Sequence, residues 1–212
     1  MTGHEFYHHR RQLDAEQMKR DRGATEVQVL SQLLDQYVTP HITVQNPDVL
    51  IVGSGSRYAE IIAVYNQLKP SHITSADVYV PKPTMFYLLK DALRDGIAHG
   101  VQLLSSVSIV PSDFQDLNQS FDIVFAFSLS PYLQYGSGAK NLLGKSRGLT
   151  VATAYKHSGL TFDRIPEYDH IDTLFEDGGA SFITRKERLD IPTTDGHIWV
   201  MQKASGQNTH GS

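Results

Sequence analysis

Polar and charged residues fill the first two dozen positions with no clear apolar face, and a regular pattern begins only at Thr25. Val27, Leu30, Leu33, Leu34 and Tyr37 then recur at helical spacing on one face, with Gln28, Gln32, Asp35 and Gln36 on the other. That spacing predicts an amphipathic helix, closed by Pro40. After the link HITVQN the pattern changes. Asp48 to Val52 is a near-continuous apolar run entering Gly53-Ser54-Gly55, as a parallel strand covered on both faces requires. Tyr58, Ile61, Ile62, Tyr65 and Leu68 repeat at helical spacing up to Pro70, and His72 to Ala76 forms a short second strand ending at Asp77. From Pro83 to Arg94 the chain has Pro at a helix start, Met85, Leu88, Leu89 and Ala92 on one face, and Gly96 as a C-cap.

A third strand, Val107 to Val110, leads to Asp113-Phe114, and a fourth, Phe121 to Phe127, ends in Ser128-Leu129-Ser130-Pro131-Tyr132. A short helix around Ala139 to Leu143 precedes a fifth strand over Gly148 to Ala154. The helix near His170 to Phe175 is followed by Ser181 to Asp190, a turn over Pro192 to Gly196, and His197 to Gln202, a pattern that predicts a β-hairpin. Alternating strands and helices with short links predict an α/β fold: a doubly wound, mostly parallel sheet of about seven strands. It carries a C-terminal antiparallel hairpin and is preceded by N-terminal helices. Residues 1–40 are expected to be a helical arm or cap, 41–203 the sheet domain, and 204–212 a disordered tail.

Composition narrows the function. With 212 residues, 40 % hydrophobic and 20 % charged, the chain suits one ordinary globular domain. A net charge of −4 argues against binding nucleic acid by bulk electrostatics. There are no cysteines, so disulfides, thiolate metal sites and a cysteine nucleophile are excluded. The polar N-terminus lacks the core of a secretory signal, and no apolar run approaches the roughly 18 residues of a membrane-spanning helix. A cytoplasmic protein without a membrane partner is expected, with oligomerisation left open.

In an open parallel sheet, ligands sit at the carboxyl ends of the strands where the strand order reverses. Gly53-Ser54-Gly55 lies at such an end, where glycine permits a tight turn and close approach, and where a helix N-terminus favours a negative group. A glycine-rich turn with no ligand remains the alternative. Asp77, about two dozen residues on, ends the second strand where a carboxylate can accept from both ribose hydroxyls; the alternative is a solvated loop aspartate.

The order of elements resembles the class I S-adenosylmethionine-dependent methyltransferase family, over about Asp48 to Lys203. VLIVGSGS resembles its first glycine motif, and SADV the ribose-binding end of strand two. PSDFQDL resembles the loop after strand three, where an acidic residue and its neighbour hold the adenine amino group and ring. FDIVFAFSLSPYL resembles strand four and the loop facing the methyl group, and AKNLLGKSRGLTVATAY the short helix leading into strand five. The resemblance implies a Rossmann-like domain that binds S-adenosylmethionine and transfers its methyl group to an acceptor, small molecule or macromolecule. It implies cofactor contacts from Gly53, Ser54, Gly55, Arg57, Asp77, Asp113, Phe114 and Ser128. Asp113 would accept from adenine N6; Phe114 would pack on the ring or serve as a core aromatic. Ser128 and Tyr132 are the candidates for lining the reacting centre, against simple loop packing.

Two positions depart from the family pattern. The acid two residues before the first glycine is replaced by Ile51, and the third glycine position by Arg57. Arg57 either pairs with the methionine carboxylate in a charge-assisted contact or obstructs the site. Two other classes compete with this reading. One is a non-catalytic S-adenosylmethionine-binding or degenerate, methyltransferase-like interaction module. The other is an NAD-dependent oxidoreductase, whose fingerprint wants glycine where Tyr58 stands. His4, His8 and His9 lack companion carboxylates at a ligand spacing, so no metal site is expected. Tyr155, Lys156 and His157 follow strand five near the expected site mouth, and Arg185 to Arg188 reads as a charged sheet edge.

Overall fold

The apolar run at Asp48–Val52 is a strand, β1, with a neighbour on each side. The computed structural model describes residues 23–53, 59–77, 100–127, 138–157, 168–192 and 194–204. Before β1 come helix α1 (Gly23–Tyr37) and a short 3-10 turn (Thr39–His41). After it, α2 (Ala59–Leu68) leads to β2 (His72–Ala76), and α3 (Gly100–Ser105) to β3 (Val107–Val110). A second 3-10 turn (Phe114–Asp116) leads to β4 (Phe121–Ala126), and α4 (Gly138–Gly144) to β5 (Ser146–His157). Helix α5 (Tyr168–Asp177), β6 (Ala180–Lys186) and β7 (Thr194–Lys203) complete the order. The expected helix over 83–94 and its cap, the arm over 1–22, the loops 54–58 and 128–137, and the tail 205–212 lie outside the described residues.

The seven strands form one sheet in the order β3-β2-β1-β4-β5-β7-β6. β3, β2, β1, β4 and β5 pair in parallel, while β7 runs antiparallel to both β5 and β6. The order therefore reverses at β1: the chain leaves it toward β2 on one side, and β4 later returns to the other.

Strand periodicity places alternate residues of β1 in two separate cores. Val49 and Ile51 join α1, α2 and alternate residues of β4, β5 and β7 in one layer. Leu50 and Val52 join Leu142, Leu143, Ile171, Phe175, Trp199 and Met201 in the other. The continuous apolar run follows from cover on both faces. In the register break between β4 and β5, a Cβ at Gly148 would lie 2.8 Å from the Asp122 carbonyl oxygen, so only glycine fits.

The three strand boundaries that differ most from the sequence expectation each have a non-local cause. β5 does not stop at Ala154 but continues to His157, because β7 pairs with it out to His157↔Thr194. The same ladder places Thr194 to Gly196 in a strand rather than in the expected turn. β6 ends at Lys186 rather than Asp190, and the chain beyond it turns inward to bury Leu189 and Ile191 in the first core. The short helix α3 was not foreseen; it buries Leu103 beneath β3.

Thr150 is fully buried in β5, and among the described residues its Oγ1 has no hydrogen-bond partner. An unpaired buried hydroxyl carries its desolvation cost uncompensated. Thr150→Val, which has nearly the same shape, is expected to raise stability by about 1–2 kcal/mol, read from urea unfolding midpoints. A lower midpoint would show that the hydroxyl is satisfied in solution.

Candidate functional site

The reversal of strand order leaves a crevice at the carboxyl ends of β1 and β4, the place where a sheet of this kind receives a ligand. β1 gives way to Gly53, whose φ of 72° is left-handed and favours glycine over any side chain. The Gly53 N–H donates to the Ala76 carbonyl at 2.9 Å, and the Asp77 N–H donates to the Val110 carbonyl at 3.2 Å. These two bonds carry the sheet ladder one step past the strands. They hold the start of the glycine turn, the end of β2 and the end of β3 in fixed relation. Asp77 sits in that seam with only 7 % of its surface exposed. A carboxylate so enclosed requires charge-stabilising partners, and at the end of β2 it stands on the crevice side of the sheet.

The next loop presents Asp113 and Phe114. Asp113 Oδ1 accepts from the Gln115 N–H at 2.9 Å and caps the 3-10 turn Phe114–Asp116. One oxygen is thus committed to local structure, while a carboxylate offers several acceptor directions. Phe114 is 3 % exposed and packs in the second core with Leu50, Val52 and Ala76. The turn is tethered from outside. Asn141 Nδ2 donates to Gln115 Oε1 at 2.8 Å, and Lys145 Nζ donates to the carbonyls of Gln115, at 3.0 Å, and Leu117. The structure therefore brings together Gly53, Asp77, Asp113 and Phe114. Ser54, Gly55, Arg57, Ser128 and Tyr132 lie outside the described residues, as do His4, His8 and His9.

The sequence reading missed the tether of Asn141 and Lys145, since nothing local marks a lysine whose partners are carbonyls about thirty residues away. It also passed over Glu60, a carboxylate buried in the first turn of α2 just beyond the glycine turn. The signal was a lone acid inside the apolar run Ala59 to Val64. Ile51, at the position where the family pattern has an acid, is wholly within the first core. Among the described residues no group of three or more His, Cys, Asp or Glu gathers as a metal site would.

At the opposite, amino end of the sheet, Asp48 and Asp122 share Arg147. Its Nη2 lies 3.0 Å from Asp122 Oδ1 and 3.9 Å from Asp48 Oδ2. Burial pushes the Asp48 carboxyl above its ordinary value of 3.8, with Asp122 adding to the rise and Arg147 opposing it. The Asp48 N–H donates to Asp122 Oδ2 at 2.9 Å, so this cluster ties the starts of β1, β4 and β5 together, away from the crevice.

No protein-family model and no curated protein sequence matches the chain. Its fold does match solved structures. One is the magnesium protoporphyrin IX methyltransferase ChlM of Synechocystis PCC 6803 with bound S-adenosylhomocysteine, with a TM-score of 0.58 and 14 % identity. That match covers 87 % of this chain and 85 % of the other. The N-methyltransferase NodS of Bradyrhizobium japonicum WM9 gives a TM-score of 0.52 at 14 % identity, over 85 % of this chain and 94 % of that one. The ribosomal protein L11 methylase of Lactobacillus delbrueckii subsp. bulgaricus gives 0.54 at 15 % identity, over 82 % and 77 %. The chain has the class I S-adenosylmethionine-dependent methyltransferase fold. Among the described residues no helix is long and apolar enough to cross a membrane.

Proposed function

We propose that the protein is a methyltransferase that binds S-adenosylmethionine in the crevice at the carboxyl ends of β1, β2 and β4. The observation that carries this is the bonded seam of Gly53, Ala76, Asp77 and Val110, with the Asp77 carboxylate enclosed within it. A diol is a neutral double donor, and a fixed, largely desolvated carboxylate is a suitable acceptor for it. Asp77 would take the ribose hydroxyls, and the turn that starts at Gly53, with Ser54, Gly55 and Arg57, the methionine end. Asp113 and Phe114 would take the adenine. The solved ChlM and NodS structures share this fold with methyltransferase activities, which supports the same chemistry here.

When bound, the cofactor supplies a methyl group already activated by a sulfonium. The protein's part is then to hold the acceptor in line with it and exclude water, work that positioning and fixed dipoles can supply. Ser128 and Tyr132, after β4, are proposed to line that region.

Titration calorimetry with S-adenosylmethionine and S-adenosylhomocysteine, beside NADH, tests the reading. Micromolar binding of the first two is expected, with Asp77→Ala weakening it by roughly ten- to a hundredfold, the loss of about 1.5–3 kcal/mol of charged hydrogen bonding. Binding of NADH in their place would move the protein to the dehydrogenases. Binding of S-adenosylmethionine without transfer to any acceptor would mark a non-catalytic module.

A further inference from the structure

Gln115, the middle residue of the 3-10 turn Phe114–Asp116, is engaged from both sides. Its N–H donates to Asp113 Oδ1 at 2.9 Å, its carbonyl accepts from Lys145 Nζ at 3.0 Å, and its Oε1 accepts from Asn141 Nδ2 at 2.8 Å. Lys145 Nζ also donates to the Leu117 carbonyl, just past the turn. Inside the turn, the Asp116 N–H donates to the Asp113 carbonyl at 3.1 Å, and the Leu117 N–H to the Phe114 carbonyl at 3.3 Å. The carbonyls of Gln115 and Leu117 thus take their donors from outside, and one ammonium serves both.

The far end of this strut is rigid. The Lys145 N–H donates to the Leu142 carbonyl at 3.2 Å, and the Lys145 carbonyl accepts from the Phe121 N–H at 2.9 Å. The lysine backbone is therefore fixed where β4 and β5 begin. Asn141 stands on α4, whose Leu142 and Leu143 are buried in the second core, and Phe114 anchors the turn in that same core. The bond from the Gln115 N–H orients the Asp113 carboxyl plane, so Lys145 and Asn141 act on Asp113 through Gln115. Stability alone does not call for this arrangement. Gln115 is exposed, and Lys145 and Asn141 are half-buried. Water can satisfy the same groups, whereas an ordered lysine gives up much of its rotamer freedom.

We propose that Lys145 and Asn141 are positioning residues that set the site's selectivity for the amino group at C6 of the cofactor's adenine; this rests on the methyltransferase reading above. With Asp113 Oδ1 committed to Gln115, Oδ2 is the acceptor left for the base. An acceptor fixed in place favours a purine with an amino donor at C6. It disfavours one with a carbonyl there, because two acceptors then face each other with no proton between them. A carboxylate free to swing reaches instead the N1–H that the 6-oxo purine offers. Selectivity then falls, while the contacts to ribose and methionine, made from Asp77 and the glycine turn, persist.

Titration calorimetry of the full chain with S-adenosylhomocysteine and S-inosylhomocysteine tests this. The two ligands differ only in the C6 substituent and the N1 proton that goes with it. The parent is expected to prefer the first by roughly ten- to a hundredfold, the worth of a hydrogen bond to a charged group. Lys145→Met keeps the stem and loses the donors. Its ratio is expected to fall by about threefold or more, through weaker binding of S-adenosylhomocysteine alone and with Tm unmoved. Lys145→Arg keeps charged donors and should restore the parent's preference. Asn141→Ala should lower the ratio in the same sense, and it stands in for Lys145→Met should that variant not fold. A ratio lowered by less than about threefold in Lys145→Met overturns the inference. So does an equal loss for both ligands, or a ratio in Lys145→Arg as low as in Lys145→Met. A parent that binds both ligands alike also overturns it, while leaving the cofactor reading intact. A parent that binds neither overturns that reading, and this inference with it.

Discussion

Trp199→Ala is expected to cost about 3–5 kcal/mol of stability, the range for deleting a large buried aromatic. Trp199 lies on β7, wholly buried in the second core, with the Phe175 ring of α5 at 6.2 Å. Its indole Nε1–H donates to Asp172 Oδ1 at 3.0 Å, a polar contact that helps pin α5 to the sheet within an apolar layer. Alanine would leave a cavity between β7 and α5 that the sheet cannot close, because β7 is held on both edges by β5 and β6. For a chain of this size the loss corresponds to a Tm lower by roughly 6–20 °C, measured by circular dichroism. Trp199→Phe should cost less, about 1–2 kcal/mol, since much of the ring volume is kept although the N–H and part of the indole are lost. Asp172 is not orphaned by that change, because Arg185 Nη1 lies 2.8 Å from its other oxygen. The wild-type protein supplies its own reporter: Trp199 is its one tryptophan, so its fluorescence follows this layer alone. A Trp199→Ala protein melting within a few degrees of wild type would mean that α5 is loosely docked.

Leu33→Ala should be nearly as damaging, at about 2–5 kcal/mol. If α1 were loosely docked, Leu33 would matter only through helix propensity, well under 1 kcal/mol. In the structure Leu30, Leu33 and Leu34 of α1 are fully buried in the same core as Val49, Ile51, Ile198 and Val200. The helix is also bonded at its far end, where the Asp190 N–H donates to the Tyr37 hydroxyl at 2.9 Å. That bond spans to the segment between β6 and β7, so α1 ties the hairpin to the rest of the sheet. Chemical denaturation followed by far-ultraviolet dichroism should show one cooperative transition at a lower midpoint. Two transitions, or an unchanged midpoint, would mean that α1 is only loosely docked. Hydrogen exchange offers a second reading, because α1 amides should be protected as long as those of β1.

Much of the architecture is legible in local pattern. The apolar run of β1, the Gly53 that follows it and the acid ending β2 lie where periodicity places them, and β3 spans the four expected residues. Of the candidate site residues, Gly53 and Asp77 directly follow β1 and β2, and Asp113 and Phe114 lie in the turn that follows β3, so the order of elements alone puts all four at the same end of the sheet. Chemistry that depends on a partner across the sheet was not legible. His197 looks from sequence like one residue in a polar strand start, yet its Nδ1 donates to the Glu187 carbonyl on the neighbouring side of the ladder. Lys145 likewise reads as a surface cation, yet it binds carbonyls of the loop that carries Asp113.

The division has a physical origin. Burial on one face or two imprints a period of 3.6 or 2 on the residues that do the burying, so element type, element order and the placing of glycines and acids at strand ends are written locally. The length of β5, the inward turn of Leu189 and Ile191, the docking of α1 and the orientation of His197 depend instead on which strand or helix lies alongside. Those choices come from hydrogen-bond ladders and close packing between segments far apart in the chain, whose energies outweigh local propensity and which only the folded structure brings together.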